Sequence, residues 1–285
     1  MSKTIVFGAS GQLGQCLKKV VEDHSLDGYI FPDRAEADIL NVAAIEALFK
    51  KYNPAYCINC AAYTAVDKAE SDEQTAFAIN KTGAENLADL CSAYNVVLVH
   101  ISTDFVFGGT ADMPLNELSA TRPLSIYGES KLAGERVIPT VLNKYFILRT
   151  GWLYSEYGNN FVKTILRIGK ERGEIKVIND QIGTPTYAMD LAAAITQIIG
   201  SGSNKYGLYH YANEGTATWF DFATAIHQIA GTGVTVLPIP TSEYPTPAKR
   251  PVYSVMDKSK IKQALTITIA DWKDSLRVCL SKLTQ

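Results

Sequence analysis

An excess of one sign of charge is missing from this chain: 27 Lys and Arg stand against 29 Asp and Glu in 285 residues, for a net charge of -2. No basic surplus exists to neutralise a run of phosphates, so general nucleic-acid binding is excluded, while a local anion site is not. Long apolar runs are also missing. None approaches the roughly 20 residues that a membrane helix needs, and no membrane association is expected. Cysteine is scarce and odd in number: Cys16, Cys57, Cys60, Cys91 and Cys279 are scattered, mostly within apolar runs, which suits buried thiols in a reducing compartment rather than a disulfide framework. Cys57-x-x-Cys60 lies in a buried strand entering a turn and reads as core packing, not as a redox or metal pair. Repeats and low-complexity tracts are absent. Met1-Ser2-Lys3 leads straight into a strand with no signal-like segment, so a cytoplasmic location is expected.

What is present is ordinary for a globular protein, 47% hydrophobic and 20% charged residues, and long enough for one large or two modest domains. A short apolar strand over residues 4–7 runs into Gly8-Ala9-Ser10-Gly11-Gln12-Leu13-Gly14 and then into a helix with periodic apolar residues. Glycines so spaced let a backbone turn tightly and approach a pyrophosphate, and the helix N-terminus offers unpaired N–H groups to the anion. Gly8, Ser10, Gly11, Gln12 and Leu13 are therefore candidate dinucleotide ligands. A second strand over residues 28–31 ends near Asp33 and Arg34, roughly 20 residues on from Gly14, where such folds read the adenosine ribose. Asp33 would accept from a 2'-hydroxyl and repel a 2'-phosphate; Arg34 would attract that phosphate. NADP(H) and NAD(H) both remain open. Asp38, followed by Ile39, could face the adenine, ahead of a helix capped by Asn41.

A third strand, 55–59, leads to Ala61, Ala62 and Tyr63, where small residues let a flat ring lie against the backbone. The segment 66–94, with Asn80 inside it, is polar and helix-forming. Residues 96–101 are too apolar and β-branched for anything but a buried parallel strand, and His100 within it reads as a packed core histidine. That strand ends in Ser102-Thr103-Asp104, where open α/β sheets place their ligands, so Thr103 can hydrogen-bond a substrate oxygen. Beyond a loop over 107–123, Tyr127-Gly128-Glu129-Ser130-Lys131 opens a helix that sets a phenol and an ammonium on one face. A free phenol titrates at about 10, and a neighbouring cation is expected to bring it down toward neutrality.

Strands alternating with helices up to residue 150 predict an α/β doubly wound parallel sheet of Rossmann type. Residues 1–150 form the expected dinucleotide-binding domain. Residues 151–285 form a smaller, discontinuous substrate-binding lobe, with some elements returning to the edge of the first sheet. Helical or strand elements are expected over 160–172, 187–200, 208–211, 218–230 and 270–283, and a proline-rich loop over 238–251 is placed to close over a ligand.

A glycine turn after the first strand, a hydroxyl ending the fourth and a downstream Tyr-x-x-x-Lys together resemble the extended short-chain dehydrogenase/reductase superfamily. The runs Ala61-Ala62-Tyr63-Thr64-Ala65-Val66-Asp67-Lys68-Ala69-Glu70, Ser102-Thr103-Asp104-Phe105-Val106-Phe107, Arg149-Thr150-Gly151-Trp152-Leu153-Tyr154, Asn160-Phe161-Val162 and Asp180-Gln181-x-Gly183-x-Pro185-Thr186 resemble the dTDP-4-dehydrorhamnose reductase family. The resemblance implies reduction of the C4 ketone of the nucleotide-sugar substrate dTDP-4-dehydrorhamnose. It assigns Tyr127 as proton donor, Thr103 as the group positioning the oxygen, and Lys131 as holder of the nicotinamide ribose. Val66 and Trp152 would flank the sugar beside Asp104, and Asn160 and Arg250 would contact the nucleotide-phosphate portion. Some members are magnesium-bridged dimers using glutamates; here Gln15 and Asp190 stand at the corresponding positions, and a neutral amide is a poor ligand for a hard cation. No metal and a monomer or weak homodimer are expected. Two alternatives stay open: another nucleotide-sugar epimerase or reductase of the superfamily, and a non-catalytic regulatory subunit like that of methionine adenosyltransferase. A dehydratase is disfavoured because Phe105, not a second acid, follows Asp104.

Overall fold

The computed structural model of the chain describes residues 2–283. β1 (Lys3–Phe7) precedes the glycine turn, and α1 (Gln12–Asp23) begins where the turn ends. The chain then alternates through β2 (Tyr29–Ile30), α2 (Val42–Tyr52), β3 (Pro54–Asn59), α3 (Val66–Ala69), α4 (Glu73–Phe77), α5 (Gly83–Ala93), β4 (Val97–Thr103), α6 (Ile126–Val141) and β5 (Tyr145–Thr150). Next come β6 (Leu153–Tyr154), α7 (Phe161–Arg172), β7 (Glu174–Ile178), β8 (Ile182–Gly183), β9 (Thr186–Tyr187), α8 (Ala188–Gly200) and β10 (Gly207–His210). β11 (Ala217–Thr218), α9 (Trp219–Ala230), β12 (Thr235–Ile239), α10 (Ser259–Leu265) and α11 (Trp272–Leu283) complete it.

Six strands form one parallel sheet in the order β10-β5-β4-β3-β1-β2. Alternation along each strand gives the sheet two apolar faces. Val6, Val97, Val99, Phe146 and Leu148 pack with residues of α1, α8 and α10, while Ile5, Phe7, Leu98 and Ile147 pack with α2, α5 and α6. A parallel sheet buried on both sides results. From β1 the chain winds one way to β2 and the other way to β3, so a crevice opens at the carboxyl ends of β1 and β3.

β10, from the second half of the chain, pairs in parallel with β5 at the sheet edge, while α8 joins the core on the α1 face. The segment 66–94 is not one helix. It breaks into α3, α4, a π-helical turn over Ala78–Thr82 and α5. Three small pairings, β6 with β9, β8 with β11 and β7 with β12, have no strong signature in the sequence because several are only two residues long. They accompany a separate core of Tyr154, Val162, Phe222, Ile226, Trp272 and Leu276. Among the described residues, no helix is long and apolar enough to cross a membrane.

Candidate active site

Gly8 holds φ +78°, and a Cβ there would lie 2.5 Å from the amide nitrogen of Ala61. The turn after β1 therefore touches the chain leaving β3, which only glycine permits. Gly11 donates its N–H to the Gly8 carbonyl at 3.0 Å and stands at the N-cap of α1 without a side-chain acceptor, so the first-turn N–H groups face outward for an anion. Ser10 is exposed beside it, whereas the Leu13 side chain belongs to the core. A helix N-terminus without a side-chain cap, behind a turn that glycine packs tightly against the chain leaving β3, fits a dinucleotide pyrophosphate.

Gln12 links this turn to the second half of the chain. Its amide donates to the Leu153 carbonyl at 3.2 Å, and its oxygen accepts from Asn160 Nδ2 at 2.9 Å. At the far end of the crevice, the Asp33 carboxylate accepts from the Glu36 N–H at 2.9 Å and closes a turn, leaving Arg34 exposed. Asp38 likewise accepts from the Leu40 N–H, and the Ile39 side chain packs against Gly83. Beyond β3, Ala61 and Ala62 are half-buried, and both the N–H and the carbonyl of Tyr63 are bound by the Asn80 side chain at 2.9 and 3.1 Å. Asn80 sits on the π-helical turn, fully buried, and also donates to Ser130 Oγ on α6. Sequence reading assigned Asn80 no role, because a single polar residue among helix formers carries no signal of its partners.

α6 is capped by Ser125, whose hydroxyl accepts from the Gly128 N–H, and this presents Tyr127 and Lys131 to the end of β4. Lys131 is buried and donates to the Ile101 carbonyl at 2.6 Å. Thr103 accepts from the Phe105 N–H and donates to Asp104, both at 3.2 Å. Burial draws Lys131 down to about 8, against the pull of Glu135. Burial pushes Tyr127 up to about 12, opposed by a hydrogen bond with Thr103 and reinforced by Asp104. The expectation that the lysine lowers the phenol is thus corrected for this state: the ammonium has a backbone acceptor, and desolvation of a phenolate dominates. Tyr127 is thus held as a protonated phenol beside Thr103 at the end of β4.

Asp104 is buried and pushed up to about 6 by that burial, against hydrogen bonds from Ser254 and Thr103. Its carboxylate lies under Gly151, where a Cβ would come within 2.7 Å of Asp104 Cγ. Trp152, next in the chain, adopts φ +50° and stacks on Trp219 with ring centroids 3.5 Å apart. A bulky residue in the left-handed region costs on the order of 1–3 kcal/mol and persists where its surroundings impose it, commonly at functional sites. Val66 opens α3, half-buried. Asn160 caps α7, accepting from the Lys163 N–H, while its amide donates to Gln12 and the Ser155 and Tyr157 carbonyls. Arg250 reaches across from the proline-rich loop to grip the Asp67 carboxylate at 2.8 and 3.0 Å, and also donates to Thr246. Both side chains named for phosphate contact are engaged within the protein here.

Of the remaining candidates, Cys57 and Cys60 are free, and burial pushes both thiols up, which makes neither a ready nucleophile. His100 is buried against Asn59 and held neutral by that burial. Gln15 donates to the Ser10 carbonyl, and Asp190 accepts from Asn213 and Ser275.

Comparison with known proteins follows the same lines. Residues 2–285 match the family described as the RmlD substrate binding domain. A dTDP-4-dehydrorhamnose reductase from Aggregatibacter actinomycetemcomitans is 40% identical over 287 aligned positions, spanning 97% of this chain and 98% of that one. A solved dTDP-4-dehydrorhamnose reductase from Clostridium acetobutylicum superposes with a TM-score of 0.95 at 40% identity, over 99% of this chain and 100% of the other. The Bacillus anthracis enzyme of the same name, solved in complex with NADP, gives 0.94 at 40% identity with the same coverage.

Proposed function

The chain belongs to the RmlD substrate binding domain family, and from that premise we propose that it reduces the C4 ketone of dTDP-4-dehydro-L-rhamnose to dTDP-L-rhamnose with a reduced nicotinamide dinucleotide. The observation that carries the reading is that α6 sets Tyr127 beside Thr103 and Lys131 on the Ile101 carbonyl at the end of β4, two strands from the glycine turn along the carboxyl edge of the same sheet. Reduction of a ketone puts negative charge on the sugar oxygen, and in a site closed to water that charge must meet donors already in place. The Tyr127 phenol is protonated and gives its proton to that oxygen, which the Thr103 hydroxyl orients. Lys131, still an ammonium at neutral pH, holds the nicotinamide ribose. When bound, the nicotinamide supplies the hydride.

The 1–150 part provides the dinucleotide side of the crevice, and the 151–285 part provides most of the substrate side. Val66, Asp104 and Trp152 surround the sugar; Asn160 and Arg250 meet the nucleotide-phosphate portion, which for Arg250 requires release or sharing of Asp67. NADP(H) is the preferred coenzyme and NAD(H) the second choice. The Asp33 carboxylate is occupied in its own turn, Arg34 is exposed for a 2'-phosphate, and a relative 40% identical was solved with NADP. Arg34→Ala is expected to weaken NADPH several-fold more than NADH in fluorescence titrations; equal losses would remove Arg34 as the reader of that phosphate. The protein acts in the cytoplasm as a monomer or weak homodimer, a reading supported by its five free thiols and by a neutral amide at Gln15.

The test is to mix the pure protein with enzymically made keto sugar and NADPH or NADH while following the reduced-nicotinamide absorbance. A decline that requires both sugar and protein is expected. No decline with either coenzyme rejects the reductase and leaves the regulatory-subunit reading.

A further inference from the structure

One turn beyond the proposed catalytic pair, α6 carries a third polar residue on the same face. Tyr127, Lys131 and Glu135 recur at four-residue intervals, so a single stripe of the helix looks onto β4. Each member meets the strand. Tyr127 lies beside the Thr103 hydroxyl, Lys131 donates to the Ile101 carbonyl at 2.6 Å, and Ser102 Oγ donates to the Glu135 carboxylate. Three consecutive residues of β4 are thereby tied to three consecutive turns of α6.

Glu135 is 6% exposed and is also held from β5 by Arg149, which is 3% exposed. Arg149 Nε donates to one carboxylate oxygen at 2.9 Å and a terminal nitrogen donates to the other at 2.6 Å. The same guanidinium lies 5.0 Å from the Phe107 ring centroid and 3.5 Å from His210 Nε2 on β10. A buried ion pair is not by itself a gain in stability, because two charges have been taken out of water. No step of the reduction uses it directly.

We propose that Glu135 is a positioning residue of the reductase site: clamped by Arg149 and Ser102, its carboxylate fixes the Tyr127–Lys131–Glu135 face on the end of β4 and stands one helical turn from Lys131 as a fixed negative charge. This rests on the reading of Lys131 as a charged participant in the reduction. The groups facing Lys131 are Glu135 on its own helix, Cys60 past the end of β3 and neutral His100 on β4, with Arg149 on β5 as the counter-ion of Glu135. Glu135, and to a smaller degree Cys60, favour the charged amine, and burial opposes them. Burial already outweighs them, and removing the carboxylate leaves it less opposed, so the amine loses its proton at still lower pH.

The experiment compares wild type, Glu135→Gln, Glu135→Asp and the double variant Glu135→Gln/Arg149→Met. The readouts are the alkaline limb of kcat/KM and the NMR titration of the Lys131 side chain in 13C-lysine-labelled protein, assigned by loss of its signal in Lys131→Arg. Both are expected to fall by roughly one pH unit in Glu135→Gln and in the double variant, and to stay near wild type in Glu135→Asp. The double variant removes both charges together and leaves no unpaired arginine, so it decides the matter if Glu135→Gln does not fold. The NMR titration needs no turnover and separates failure of this proposal from failure of the reductase reading. An unchanged Lys131 titration in either folded charge-removing variant overturns the proposal.

Discussion

Asp104 lies with its carboxylate packed under Gly151, and its proton is held more tightly in the folded chain than in the unfolded one. With the folded value at about 6 and the ordinary value of the side chain at 3.8, the group burdens the fold only when ionised. Its favourable contribution is complete below the unfolded value and disappears as pH rises through the folded one. Asp104→Asn is therefore expected to gain up to about 3 kcal/mol over wild type in urea unfolding at pH 8, relative to the same comparison at pH 4. A difference independent of pH would show that the carboxyl titrates normally. Tyr127 is the opposite case, a group whose raised value keeps it in the form the reaction consumes. Tyr127→Phe is expected to bind NADPH as wild type does and to lose ~100-fold or more in kcat, the usual cost of removing a general acid. Near-normal turnover in that variant would place the proton donor elsewhere.

At the level of elements, α7 shows what one side chain can join. Asn160 caps the helix and, through Gln12, ties it to the start of α1, 148 residues away in sequence. Asn160→Ala is expected to lose about 1–2 kcal/mol in chemical denaturation, the range for a lost N-cap, and a loss near zero would mean that water replaces it. The principal strands, the glycine turn and the Tyr127 helix could be read directly, because a buried parallel strand and a strand-turn-helix unit each leave a local pattern. The proposed roles of Thr103, Tyr127 and Lys131 start from the same local patterns, the end of a buried strand and the first turns of the helix that follows it. The grip of Arg250 on Asp67, 183 residues apart, and that of Arg149 on Glu135 across two elements have no local pattern. The π-helical turn at Ala78–Thr82 was also hidden, since Ala-Ile-Asn-Lys-Thr carries no local signal for the extra residue and only the bonds of Asn80 to Tyr63 and Ser130 distinguish it.

Taken as a whole, the molecule converges on the carboxyl edge of one sheet. β1 contributes Gly8, the chain past β3 contributes Ala61, β4 contributes Thr103, and Gly151 and Trp152 follow β5, while α6 lays its polar stripe across the end of β4. The loop bearing Arg250 is fastened to α3 through Asp67, which brings the late part of the chain against the first half beside Val66. At this edge, on the reading proposed above, a bound nicotinamide delivers hydride to a sugar carbon while Tyr127 protonates the oxygen. This transfer is tested most directly by supplying NADPH deuterated at the transferable position of the nicotinamide together with the keto sugar, and locating the label in the product by NMR. Deuterium is expected at sugar C4 with wild-type protein, and labelling ~100-fold slower or more with Tyr127→Phe. Absence of deuterium from C4, or equal labelling by the two proteins, would contradict it.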